Sequence, residues 1–155
     1  MIFVTVGTYH FEFERLNKRI DEIAGNIDEE VIAQIGSTKY LPKNMRYFTL
    51  LEEEKLLELI KKARIVVTHA GAGTLLNVLH FRKPLILVPR FKKFNEVIDD
   101  HQLELTEVFK NEKKAVVVYD INNLESALKK AKKISFNKNI KLVTFLKDYI
   151  KDMKK

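Results

Sequence analysis

The run His69-Ala70-Gly71-Ala72-Gly73-Thr74 concentrates the chemistry of this chain. Small residues between a strand and a helix let a ligand approach the main chain closely. The first N–H groups of a helix have no intrahelical acceptor and lie at the positive end of its dipole, so they suit an anion. Thr74 adds a hydroxyl and His69 an imidazole donor. Together they fit a diphosphate. A blander account stays open, in which Gly71 and Gly73 only permit tight strand–helix packing and Thr74 is a cap. The run is not the dinucleotide fingerprint G-x-G-x-x-G, because Leu76 stands three after Gly73, and no Gly-Lys-Ser/Thr follows to make a P-loop. An NAD or ATP reading thus loses its main support.

Such a run works only when a strand delivers it and a helix continues it, and the surrounding pattern supplies both. Short β-branched or aliphatic runs at 2–6, 31–35, 46–50, 65–68, 85–88 and 115–118 read as strands. Helical spacing over 11–24, 52–62, from 74 to about 79, 100–110, 122–133 and 138–153 fills the gaps. Glu52, Glu53 and Glu54 open one of these helices, where acids favour the dipole. Strands alternating with helices predict a single α/β domain over 1–155, a Rossmann-like doubly wound and mostly parallel sheet. In such a sheet ligands bind outside the carboxyl ends of the strands. Four of the five glycines fall there (Gly7, Gly36, Gly71 and Gly73), beside Thr8, Ser37, and Arg90 after Pro89.

Composition narrows the partners. The net charge is +7, yet residues 1–128 hold 18 basic and 19 acidic side chains, while residues 129–155 hold ten lysines and two aspartates. The basicity belongs to the C-terminal stretch, and without a DNA- or RNA-binding module it does not indicate nucleic acid. No cysteine is present, which excludes disulfides, thiol nucleophiles and zinc–thiolate sites. The N-terminal residues lack a signal-peptide pattern and no apolar run reaches membrane-spanning length, so the expected location is cytoplasmic. No Asp-x-Asp motif or spaced His/Asp/Glu set suggests a metal, and no cofactor is expected.

Four stretches in order, Val4-Thr5-Val6-Gly7-Thr8, Gln34-Ile35-Gly36-Ser37, Thr68 to Thr74, and Lys83 to Arg90 with Asp100-His101-Gln102, carry a resemblance. Over roughly residues 1–125 the chain resembles the donor-binding half of GT-B glycosyltransferases. It is similar to the MurG-like family 28 C-terminal domain and to the small subunits of two-part UDP-N-acetylglucosamine transferases. The resemblance implies that His69 and the amides of Ala70, Gly71, Ala72, Gly73 and Thr74 hold UDP phosphates. Gly7 and Thr8 would line the cleft, backbone near 48–51 would meet the uracil, and His101 with Gln102 would reach the donor sugar. Asn77 stands where the family commonly has a ribose-binding Glu, and Asn is a weaker acceptor for a hydroxyl. Read without the resemblance, Asp100-His101-Gln102 is equally a first helical turn capped by Asp99 or Asp100. His10 reads as a loop histidine, and His80 as a surface residue near a helix end.

The implied reaction is inverting displacement of UDP from a sugar, with the developing diphosphate charge met by helix-terminal amides and His69. The general base lies on the other half of the family's two-half enzymes and is unassigned here. That half is expected on a second, membrane-associated chain that brings a lipid-linked acceptor. The final helix suits several roles: Leu142, Phe145, Leu146, Tyr149, Ile150 and Met153 form one stripe, with Lys141, Lys147, Lys151 and Lys154 elsewhere. It can pack on its own domain, dock on the second chain or meet a membrane surface. The rival to an enzyme is a non-catalytic nucleotide-sugar-binding module that regulates a partner. A sugar-nucleotide epimerase or phosphorylase of related fold is a third option.

Overall fold

Ile2–Thr5 (β1), Val31–Gln34 (β2) and Ile65–Thr68 (β4) are buried at every residue. Continuous burial of this kind requires a layer on each face of the sheet, as parallel sheets have. The computed structural model, which describes residues 1–131 and 140–153, shows those layers. With Arg46–Phe48 (β3), Leu85–Leu87 (β5) and Val116–Val117 (β6), the strands form one sheet in the order β3-β2-β1-β4-β5-β6. Every pairing is parallel.

Alternate residues of each strand feed opposite cores. Val4, Ala33, Val67 and Ile86 face Glu14–Ala24 (α1) and Leu124–Ala131 (α5), meeting Leu16, Ile20 and Leu128. Phe3, Ile32, Val66 and Leu85 face Glu53–Lys62 (α2), Ala72–His80 (α3), His101–Asn111 (α4) and Ile140–Met153 (α6). Leu59, Leu75, Phe109 and Leu146 fill that side. The final helix therefore packs on its own domain through Leu142 and Leu146, while Phe145 stays 41% exposed. The parts of the expected last two helices at 132–139 lie outside the described residues.

The doubly wound parallel sheet matches the expectation, and the differences lie at element ends. The first helix begins at Glu14 instead of residue 11. The carbonyls of Phe11 and Glu12, which an earlier start would commit to the helix, accept hydrogen bonds from Arg90. The expected loop 90–99 contains a 3-10 turn at Lys92–Phe94, and another at Ile121–Asn123 precedes α5. The strand order reverses direction between β1 and β4, and the crevice at that switch point is where such sheets take ligands.

Candidate functional site

At the switch point Gly7 lies just past β1 and His69 just past β4. Gly7 has φ +72°, a left-handed conformation that a side chain disfavours, and Gly36 behind it has φ +64°. The imidazole of His69 is wedged between two glycines. A Cβ at Gly7 would lie 2.6 Å from its Cε1, and a Cβ at Gly71 would overlap its Nε2. The blander account of the glycines therefore holds for Gly71, although its neighbour is the His69 ring instead of a helix–strand contact. Gly73 differs: an added Cβ there meets nothing within 4 Å.

The open space at Gly73 lies over the start of α3. Gly71 is the N-cap and provides no side-chain bond, and the first helical bond runs from the Leu75 N–H to the Gly71 carbonyl. The N–H groups of Ala72, Gly73 and Thr74 thus have no acceptor among the described residues. They border a hollow of about 380 Å³ lined by Gly7, Thr8, Tyr9, His10, His69, Gly71, Ala72, Gly73 and Thr74. A second hollow of about 480 Å³ shares Tyr9, His69, Gly71 and Ala72 with it. That one extends past Ala70 to His101 and Gln102 and is also lined by Tyr149 and Met153 of α6.

Burial, followed by the positive charge of Arg90, lowers the His69 pKa to about 3, against a smaller opposing hydrogen bond to the Thr5 backbone. The ring is therefore neutral at physiological pH, with Nδ1 3.5 Å from the Thr68 hydroxyl. His69 can offer an N–H or a lone pair, but no charge. Gln102 has a buried Oε1 with no partner among the described residues. His101 is exposed; its backbone N–H bonds Asp99 Oδ1 at 3.1 Å, so Asp99 takes the capping role. The capping reading of this turn thus holds for Asp99.

Other expected site residues are placed elsewhere. Arg90 corrects the expectation of a ligand contact, since it is 0% exposed. Its Nη1 donates to the carbonyls of Phe11, Glu12 and Glu96 at 3.0–3.2 Å, and its Nη2 donates to that of Val6 at 3.0 Å. Ser37 holds the site's wall from outside, its hydroxyl donating to the Tyr9 carbonyl at 3.2 Å. Gly36 is buried against Val6. Asn77 borders a separate hollow between α3 and α6, with Leu76, His80 and Arg82. Residues 48–51 lie at the end of β3, the edge strand, where Leu50 is exposed. His80 is exposed at the end of α3 with its ring against Phe81. Sequence reading missed Tyr9, Val97, Tyr149 and Met153. Tyr9 follows Gly7-Thr8 directly and could have been found; the α6 residues arrive only through tertiary packing. Among the described residues no group of three or more His, Asp or Glu is placed to hold a metal ion, and no helix is long and apolar enough to cross a membrane.

Comparison with known proteins agrees with this fold. The family profile described as "Glycosyltransferase family 28 C-terminal domain" matches residues 1–154. The human UDP-N-acetylglucosamine transferase subunit ALG13 is 37% identical over 117 residues, 67% of this chain and 10% of that protein. A Clostridium botulinum UDP-N-acetylglucosamine–N-acetylmuramyl-(pentapeptide) pyrophosphoryl-undecaprenol N-acetylglucosamine transferase is 28% identical over 83% of this chain and 31% of its own length. The chain thus spans a tenth to a third of these relatives. Among solved structures, the kitacinnamycin glycotransferase superposes with a TM-score of 0.67 at 16% identity, covering 99% of this chain and 39% of that one. Acinetobacter baumannii MurG gives 0.56 at 17% identity, covering 94% and 49%. At these identities the superpositions speak for the fold.

Proposed function

The chain belongs to the glycosyltransferase family 28 C-terminal domain family, and on that premise we propose that it is the donor-binding part of an inverting UDP-sugar glycosyltransferase. UDP-N-acetylglucosamine is the proposed donor, because two of the similar proteins bear that sugar nucleotide in their names. One observation carries the reading. The only glycine of the His69–Thr74 run that faces open space, Gly73, lies over three unpaired N–H groups in a hollow that shares Tyr9, His69, Gly71 and Ala72 with the one at Gln102. A diphosphate over the start of α3 and a pyranose toward His101 and Gln102 fill these two spaces.

In the proposed reaction an acceptor hydroxyl oxygen attacks the anomeric carbon. The new C–O bond forms as the bond to the β-phosphate oxygen breaks, and UDP leaves with that electron pair. The amides of Ala72, Gly73 and Thr74 and a neutral His69 stabilise the charge that develops on the leaving diphosphate. The hydroxyl proton passes to a base, which we place on a second, membrane-associated chain that also binds a lipid-linked acceptor; the word "subunit" in the human relative's name supports such a partner. On this reading the chain works at the cytoplasmic face of a membrane, peripheral through its partner.

Two measurements test the proposal. UDP at millimolar concentration should raise the melting temperature and NAD should not; no shift with UDP refutes the donor site. Co-expression with the partner should give transfer from UDP-N-acetylglucosamine that the purified chain lacks. UDP binding without transfer by the reconstituted pair would instead identify a regulatory nucleotide-sugar module.

A further inference from the structure

Arg15, Glu96 and Arg90 form a cluster that no ligand-binding motif explains. Arg15 on α1 grips Glu96 with two bonds, Nε to Oε1 and Nη2 to Oε2, each 2.9 Å, and its Nη2 also reaches the Pro89 carbonyl at 3.0 Å. The second Glu96 oxygen also accepts from the Phe91 N–H at 3.0 Å. Arg90 then receives no carboxylate oxygen of its own; its partners are the four carbonyls described above. The cluster therefore holds two cations and one anion. Arg90 Nε and Arg15 Nη1 are both buried without an acceptor among the described residues. The nearby acids Glu12 and Glu14 face Lys39 and Lys18 at the surface, and among the described residues neither bonds to Arg15 or Arg90 through its carboxylate.

Topology places this surplus charge. β4 lies between β1 and β5, so a side chain that starts just past β5 and bonds Val6 just past β1 must cross the end of β4, where His69 begins. The same guanidinium fixes the carbonyls of Phe11 and Glu12, and with them the loop from Gly7 to Phe13 that walls the glycine hollow.

We propose that the Arg15–Glu96–Arg90 cluster is a positioning element that supplies a net positive charge from beneath the diphosphate while holding the β1 loop as the wall of its site. The proposal rests on the donor reading above, and it assigns the cluster to the phosphates instead of the nucleoside or sugar. An enclosed cation whose hydrogen bonds go only to neutral carbonyls keeps its long-range field, and low-dielectric surroundings screen that field less than water does.

The test uses charge changes of opposite sign in the full chain. Glu96→Gln raises the cluster by one positive charge and Arg15→Gln lowers it by one. Affinities for UDP and for uridine are read by NMR titration at fixed ionic strength. E96Q should bind UDP about three- to tenfold more tightly and R15Q about three- to tenfold more weakly, the scale of one unit charge acting on a diphosphate through partial screening. Uridine affinity should stay constant in both. A cluster that is structural alone weakens both ligands in both variants, and that result overturns the proposal. Should one variant fail to fold, the other gives the same contrast between UDP and uridine. Failure of the wild-type chain to bind UDP overturns the donor reading itself, whereas UDP binding that neither substitution alters overturns the cluster's role alone.

Discussion

Gly73→Ala separates a glycine kept for a ligand from one kept for the fold. Gly73 is the second residue of α3 and its φ lies outside the left-handed region. Its new Cβ would meet nothing within 4 Å. Alanine should therefore fold at no steric cost and gain up to about 1 kcal/mol from helix propensity. For a chain of this size that is a rise of about 1–4 °C in melting temperature. The same methyl group projects into the space over the free N–H groups of Ala72, Gly73 and Thr74, where a phosphate oxygen must come within hydrogen-bond reach. Losing even one charge-assisted bond costs about 1.5–3 kcal/mol, so UDP affinity should fall at least about tenfold. Gly71→Ala is the contrast, because its Cβ would overlap His69 Nε2 and force the ring aside. It should destabilise the protein by about 1–3 kcal/mol. Thermal denaturation with and without UDP, supported by calorimetric titration, reads both quantities. A G73A protein that is stable and binds UDP as the wild type does would refute the placement of the phosphates over this turn.

Three further outcomes follow from the packing and the shifted groups. Because folding lowers the His69 pKa from 6.5 to about 3, the unfolded chain binds this proton more readily and stability falls as pH drops from 6.5 toward 3. The loss should reach about 2 kcal/mol at pH 5 in urea titrations; His69→Gln should remove that slope, and an unchanged slope would contradict it. The Asp21 carboxylate accepts from the Tyr40 hydroxyl at 2.7 Å and from the N–H groups of Lys43 and Asn44, and its bond to Tyr40 is the main reason that phenol is pushed up to about 12. Asp21→Asn should bring the phenol back toward 10 in ultraviolet titration and cost about 1–3 kcal/mol, and a Tyr40 that still titrates near 12 would show another cause. In α6, Leu146→Ala should cost about 2–5 kcal/mol because that side chain is fully buried, whereas the half-exposed Phe145 should lose less when truncated; equal losses would contradict the packing of α6 on α3.

The sheet and the glycine turn were legible because local signals suffice for both. Short apolar strands alternating with helices, several of them followed by a glycine or proline, specify parallel order with ligands at their carboxyl ends. His69, Gly71 and Gly73 lie within one run of five residues, so the hollow they share was visible as a string. Arg90 was not legible in the same way. A position just past a strand suggests a ligand contact, but the side chain turns inward to carbonyls about eighty residues away in sequence, those of Phe11, Glu12 and Val6. The late start of α1 has the same origin. Tyr149 and Met153 reach the second hollow only because Leu142 and Leu146 seat α6 on the domain. A stripe read from spacing shows that a helix has an apolar face, and it leaves open which surface will take it.

The wedge of His69 between Gly7 and Gly71 ties positions 69 and 71 into one unit of inheritance. A bulkier residue at 71 can be accommodated only where the side chain at 69 shrinks, so these two sites should change together, while the left-handed backbone at 7 keeps its glycine in either case. Directed evolution of the chain offers a direct view of this. Selections that start from a His69→Ala background should admit alanine or serine at 71, and selections that keep the imidazole should return glycine there. Position 73, which no ring guards, should drift freely whenever selection is for folding alone and become fixed only when selection is for nucleotide binding.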